Sequence, residues 1–228
     1  MPGVVTHLLA PVNRAAAAAL ALPRTLRAAP GVALTFDDGP HPEGTPMILE
    51  LLARHRATAT FFVVGEQVRR RPALLERIRA QGHQVALHGD RHRLQLCLGR
   101  EALLDDLRRG AAAIEDALGE PPHWHRPPYG IYSPRGLAAA RAAGLQPLLW
   151  SRWGKDWRRL TTPARIARRA MRGLLPGDVI LLHDADFYSS AGSHLRTAAA
   201  VEMMLTELSR RKLCTVVPAD VVARAHTG

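Results

Sequence analysis

From Val32 onward, short apolar runs of strand length alternate with helix-length stretches, and most of the runs end in a cluster of polar or charged residues. This alternation is the strongest constraint on the fold, because it suits strands buried in a parallel sheet and joined by crossover helices, the α/β class. Expected strands are Val32–Asp37, Thr58–Val64, Val85–His88, Trp124–Arg126, Pro147–Ser151, Asp178–His183 and Cys214–Val217. Expected helices are Pro46–His55, Gln67–Ala80, Arg100–Leu118, Pro134–Ala143, Pro163–Arg172 and His194–Arg210. Pro163 after Thr162 marks a helix start, while Gly144 and Gly173 mark stops. Active sites of α/β folds gather at strand C-terminal ends, so the polar clusters there are the candidates for chemistry.

Residues 1–30 contain no acidic residue and are rich in Ala and Leu, with Leu8, Val12, Ala16, Ala19 and Leu20 near helical spacing. They are expected to form a helical N-terminal extension packed on a main domain of residues 31–228. Arg14, Arg24 and Arg27 make a peripheral membrane contact the alternative. The apolar stretch Ala15–Leu22 is marginal as an export signal, so a cytoplasmic location is expected, with membrane association as the variant. No apolar run approaches the roughly 18 residues that cross a bilayer.

The chain of 228 residues carries a formal net charge of +11. Such a surface attracts anions without selecting one. Specific nucleic-acid recognition is not expected, because no zinc-finger spacing or RNA-binding aromatic signature accompanies the charge. Cys97 and Cys214 are too few for a disulfide scaffold and are expected to be small buried residues. Nothing in the sequence fixes an oligomeric state.

The strongest local signal is Thr35-Phe36-Asp37-Asp38-Gly39-Pro40, directly after an apolar run. Adjacent carboxylates at the end of a buried strand repel unless a cation or hydrogen bonds compensate, and successive strand side chains diverge, so the two differ in role. An Asp-Gly-Pro turn explains the same residues without chemistry. His88-Gly89-Asp90-Arg91-His92 supplies two imidazoles four positions apart, which a turned loop would aim at one point. Imidazole with carboxylate is a donor set for Zn²⁺ and similar ions. His125-Arg126-Pro127-Pro128-Tyr129-Gly130 places a cation at a strand end before a loop stiffened by prolines. Trp150, Trp153 and Trp157 surround Asp156 and offer apolar faces to a sugar, unless they merely pack a loop. Leu181-Leu182-His183-Asp184 ends another run with a group able to exchange a proton near neutrality.

Taken in order, these five motifs resemble those of the polysaccharide deacetylase family, the NodB-homology domains or carbohydrate esterase family 4, over roughly Val32–Pro218. The resemblance implies a distorted (β/α)7 barrel with its site at the C-terminal face of the strands. It also implies metal-dependent hydrolysis of an N-acetyl group, less often an O-acetyl group, on an amino sugar. By motif position, Asp38, His88 and His92 would hold a divalent ion, Zn²⁺ first, with Co²⁺, Ni²⁺ or Mn²⁺ as alternatives. Asp37 would be the general base, Arg126 would hold it, His183 would be the general acid and Asp156 would tune that histidine. Pro127, Tyr129, Trp150, Trp153, Trp157 and His41 are the substrate-binding candidates, His41 ranking last.

Two positions depart from the family pattern. Gly89 stands where Ser or Thr is usual, and the missing hydroxyl is expected to loosen the loop. Arg152-Trp153-Gly154 replaces an acidic residue usually found before Asp156, which points to altered substrate contacts. Of the neighbouring histidines, at most one of His123 and His125 is expected to face the cleft. The substrate is expected to be an N-acylated amino sugar in an oligosaccharide, a glycosylated metabolite or an anionic lipid-linked glycan. Competing readings are a deformylase of a polyprenyl-linked amino sugar and a non-catalytic carbohydrate-binding protein.

Overall fold

A computed structural model describes residues 17–220. Its strands are β1 (Ala33–Asp37), β2 (Thr60–Val63), β3 (Gln84–Leu87), β4 (Trp124–His125), β5 (Gln146–Pro147), β6 (Arg152–Trp153) and β7 (Val179–His183). They form one sheet in the order β5-β4-β3-β2-β1-β7-β6, with every pairing parallel. The two central strands explain themselves: all five residues of β1 are buried, as are the first four of β7, which suits strands covered on both faces. Their register sets Asp37 beside His183, so two distant motifs arrive at one level.

The sheet curls into a distorted (β/α)7 barrel that stays open between β5 and β6. Residues 148–151 cross that gap, where Ser151 N donates to the Val179 carbonyl at 3.1 Å. Around the sheet lie α1 (Gly44–Arg54), α2 (Gly65–Arg70), α3 (Pro72–Ala80), α4 (Arg100–Leu118), α5 (Pro134–Ala142), α6 (Pro163–Met171) and α7 (Ser193–Arg210). Ser133 and Thr162 cap α5 and α6 by accepting from Gly136 N and Arg165 N, each just ahead of a proline in the first turn. The α4 helix stops at Gly119, whose φ of 74° is a left-handed conformation that glycine adopts freely. Buried apolar side chains from Ala17 to Val216 form one contiguous core.

Several expected elements differ. The stretch expected as one helix, Gln67–Ala80, is two, because Arg71 precedes Pro72 and leaves the helical region at φ −145°, ψ 55°. Of the run expected as one strand, Pro147–Ser151, only Pro147 lies in a strand, β5, and residues 148–151 are the crossing between β5 and β6. Cys214–Val217 is not a strand: it contributes an isolated bridge from Thr215 to Val32. Cys97, at the end of the 3-10 turn Gln95–Cys97, and Cys214 are both exposed rather than buried.

The expected helix over residues 1–30 lies largely outside the described residues, and residues 17–19 are helical. From Leu20 to Pro30 the chain runs without a helix and inserts Leu22, Leu26 and Ala29 into the core. Leu26 N donates to the Gly177 carbonyl at 2.8 Å, and Arg24 Nε to the Trp150 carbonyl at 2.9 Å. Among the described residues no helix is long and apolar enough to cross a membrane.

Candidate active site

The C-terminal ends of the strands surround a cleft with about 570 Å³ of empty space. It is lined by Asp37, Asp38, His88, His92, Tyr129, Gly130, Trp150, Trp153, Trp157, Leu181, His183, Tyr188 and Ser189. All five sequence motifs therefore contribute to one site, either on its walls or, for Arg126 and Asp156, directly behind them.

Asp38 follows the last residue of β1 and takes φ 82°, a left-handed conformation that costs an Asp free energy and turns its carboxylate off the strand line. Its Oδ1 lies 3.4 Å from His88 Nε2 and 3.4 Å from His92 Nε2. The three side chains offer ligand atoms that all lie within 4.8 Å of one another. Asp38 Oδ1 is buried and has no hydrogen-bond donor, an orphaned acceptor facing two imidazoles. His88 Nδ1 sits 2.8 Å from the Arg126 carbonyl, which fixes the ring proton on Nδ1 and leaves the Nε2 lone pair turned inward. Burial pushes His92 down to about 4, against the pull of Asp38, so its ring is neutral at neutral pH. Burial alone would raise Asp38, but the histidines, His92 foremost, hold it well below the usual carboxylate range. Two imidazoles and a carboxylate with one unpaired acceptor form a donor set that fits a divalent cation.

Asp37 sits one residue earlier on β1, and Arg126 reaches it from the end of β4. Arg126 is wholly buried: Nη1 donates to Asp37 Oδ1 at 2.6 Å and to Thr35 Oγ1 at 2.9 Å. Nε and Nη2 donate to the Leu148 and Leu149 carbonyls at 3.0 and 3.1 Å, in the crossing between β5 and β6. The guanidinium also lies 3.9 Å from the Phe62 ring centroid. One Asp37 oxygen is thereby fixed, while Oδ2 lies 3.8 Å from His88 Nε2 on the cleft side.

Across the cleft, His183 Nδ1 lies 3.0 Å from Asp156 Oδ1, and His183 N donates to Asp156 Oδ2 at 2.7 Å. Thr197 Oγ1 of α7 donates to the same Oδ2 at 2.9 Å. Burial works against a charge on His183, but the Asp156 carboxylate outweighs it, with help from Asp38 and Asp37, and raises the group to about 10. The next residue, Asp184, is raised to about 7 by burial and accepts a hydrogen bond from Thr45 Oγ1.

Trp150, Trp153 and Trp157 form one apolar wall, with ring centroids 5.9 and 5.4 Å apart along the series. Tyr129, also on the cleft lining, meets the His92 ring in a T-shaped pair with centroids 4.7 Å apart and planes 67° apart. Two substrate-binding candidates are elsewhere. Pro127 does not line the cleft, and His41 Nδ1 accepts from Glu43 N and Gly44 N at the start of α1. Neither His123 nor His125 faces the cleft: His125 is buried against Tyr132 Oη at 2.7 Å.

Both departures from the family pattern have local explanations. Gly89 has φ 86°, and an added Cβ would lie 2.8 Å from Asp106 Oδ2. Asp106, on α4, accepts from Asp90 N at 3.0 Å and Arg93 Nη2 at 2.8 Å, so an acidic side chain anchors the loop that was expected to be loose. Arg152 turns away from the cleft to bond Asp178 Oδ2 at 3.0 Å and the Arg172 and Gly173 carbonyls. Sequence reasoning did not find Asp106, Thr35 and Thr197, whose partners are distant in the chain, or Leu181 and Ser189 as lining residues.

A sequence profile described as polysaccharide deacetylase matches residues 27–148. The chain is 39% identical over 196 residues to a chitooligosaccharide deacetylase of Sinorhizobium fredii, covering 83% of this chain and 91% of that protein. It is 32% identical over 197 residues to a peptidoglycan-N-acetylglucosamine deacetylase of Bacillus cereus, covering 86% and 89%. A crystal structure of a peptidoglycan N-acetylglucosamine deacetylase in complex with 4-naphthalen-1-yl-N-oxidanyl-benzamide superposes with a TM-score of 0.79 at 27% identity, over 86% of this chain and 89% of that one.

Proposed function

We propose that this chain, which belongs to the polysaccharide deacetylase family, is a metal-dependent hydrolase that removes the N-acetyl group from an amino sugar in an oligosaccharide. The observation that carries the reading is the meeting of Asp38, His88 and His92 beside Asp37 and His183 in one cleft. The named relatives act on chitooligosaccharide or on N-acetylglucosamine in peptidoglycan, and the aromatic wall suits the apolar face of such a sugar.

Asp38 Oδ1, His88 Nε2 and His92 Nε2 would hold the divalent ion, Zn²⁺ being the best match to this donor set. When bound, such an ion supplies Lewis acidity, lowering the pKa of water and drawing charge from the acyl oxygen as the carbonyl becomes tetrahedral. Asp37, with Oδ1 tied to Arg126, uses Oδ2 to take a proton from the attacking water. Arg126 holds that carboxylate in place.

His183 has its Nδ1 engaged by Asp156, which leaves Nε2 as the proton donor. Because the group is raised to about 10, it stays protonated at neutral pH and delivers its proton to the departing amine as the C–N bond breaks. Asp156 then stabilises the ring orientation needed for the next cycle. The products are acetate and a free amino sugar.

The test is acetate release from N-acetylated chitooligosaccharides and peptidoglycan fragments, with N-formylated, O-acetylated and lipid-linked amino sugars in parallel. The reading expects acetate from at least one N-acetylated glycan, lost on chelation and restored by Zn²⁺. Release unaffected by removing metal, or none from the panel, would contradict it.

A further inference from the structure

We propose that Tyr188 is a positioning residue for His92, held by an Asp186 clasp. The inference rests on the reading above of His92 as a ligand, and deepens it. The two histidines of that set are oriented differently. His88 is fixed through Nδ1 by the Arg126 carbonyl, whereas His92 has no hydrogen bond to its ring nitrogens among the described residues. Its orientation comes from ring packing instead. Tyr188 stacks on it with centroids 4.2 Å apart and planes 13° apart, and Tyr129 meets it edge-on. A nearly parallel stack resists rotation of the imidazole about χ2 and so keeps Nε2 pointed at Asp38.

Tyr188 is itself anchored. Its hydroxyl donates to Glu66 Oε1 of α2 at 2.6 Å and accepts from Gln67 Nε2 at 3.4 Å. The segment that carries it begins at Asp186, whose Oδ2 accepts from Gly192 N at 2.7 Å and whose carbonyl accepts from Ser189 N at 3.2 Å. Asp186 Oδ1 lies 3.3 Å from His41 Nε2, and Oδ2 lies 3.2 Å from His194 Nδ1. Farther along, Ser190 N donates to the Trp157 carbonyl at 3.3 Å. The segment thus ties both walls of the cleft to the start of α7.

His41, Asp186 and His194 also bring possible ligand atoms together, but they do not make a second cation site. His41 Nδ1 accepts two backbone N–H groups, so in the neutral ring the proton resides on Nε2, the atom 3.3 Å from Asp186 Oδ1. His41 therefore offers no free lone pair to a cation, and Asp186 bridges the two histidines as a clasp.

The experiment measures Zn²⁺ affinity of the full-length protein by competition with a chromophoric chelator for wild type, His92→Ala, Tyr188→Phe, Tyr188→Leu and Tyr188→Ala. Circular dichroism verifies folding, and Tyr188→Leu keeps apolar bulk in place. Tyr188→Phe keeps the stack while losing the hydroxyl anchor and is expected to bind far closer to wild type than Tyr188→Leu and Tyr188→Ala, which weaken binding by about 10–100-fold. Acetate release by these two variants should recover in excess Zn²⁺. Wild-type affinity in Tyr188→Leu and Tyr188→Ala, alongside loss in His92→Ala, would overturn the inference and leave the function intact. Weak binding by Tyr188→Phe would transfer the role to the hydroxyl and overturn the stacking argument. Absence of Zn²⁺ binding by wild type would overturn the functional reading as well.

Discussion

Arg126 Nη1 lies 2.6 Å from Asp37 Oδ1, with both side chains buried, so the carboxylate that faces the cleft is clamped on one oxygen and open on the other. Proton abstraction by Asp37 is thereby distinct from ion binding by Asp38. Asp37→Asn should bind Zn²⁺ much as wild type does and lose about 10²–10⁴-fold in kcat. Calorimetric titration and initial rates of acetate release check this, and unchanged turnover would remove Asp37 from its role as base.

Removing Arg126 should damage the fold as well as the chemistry. Arg126→Met leaves the Asp37 carboxylate and the Leu148 and Leu149 carbonyls without their donor. Breaking a buried ion pair in this way costs about 3–5 kcal/mol, read as a lower urea midpoint at constant slope. A midpoint equal to wild type would show that the pair is not structural.

Asp156 should govern the titration of His183. With its group raised to about 10, His183 contributes stability below the ordinary value of 6.5 and loses that contribution as the pH climbs toward 10. In metal-free Asp156→Asn, the buried imidazole loses its strongest support, and its midpoint should fall. Histidine NMR titration of both proteins measures this. An unchanged midpoint would show that Asp156 does not set the proton affinity.

Gly89→Ser restores the side chain type usual in the family but should be harmful here. The φ of 86° strains any Cβ, and the nearest obstacle is the Asp106 carboxylate that anchors the loop bearing His88 and His92. The expected cost is about 1–3 kcal/mol with weaker Zn²⁺ binding. Denaturant unfolding that shows equal or greater stability would contradict it.

The barrel and the gathering of the motifs in one cleft were legible because both rest on local patterns: buried parallel strands are continuous apolar runs, and each motif sits at a strand end. Pro72 inside an expected helix was a legible break that the apolar spacing of Gln67–Ala80 masked. Two-residue strands such as β6 have no period to detect. Asp106, Thr197 and Tyr188 act on partners 16, 41 and more than 90 positions away, through contacts that only the folded barrel creates. Arg152 fell outside the cleft because a neighbouring carboxylate, Asp178, claims its guanidinium at the base of β7.

One divalent ion between Asp38, His88 and His92 would be visible in a crystal of the protein soaked in Zn²⁺ and measured at the zinc absorption edge. The account predicts a strong anomalous peak within bonding distance of the Asp38 carboxylate and both Nε2 atoms, absent from Asp38→Ala. A peak at His41, Asp186 and His194 instead, or no peak in the cleft, would contradict it.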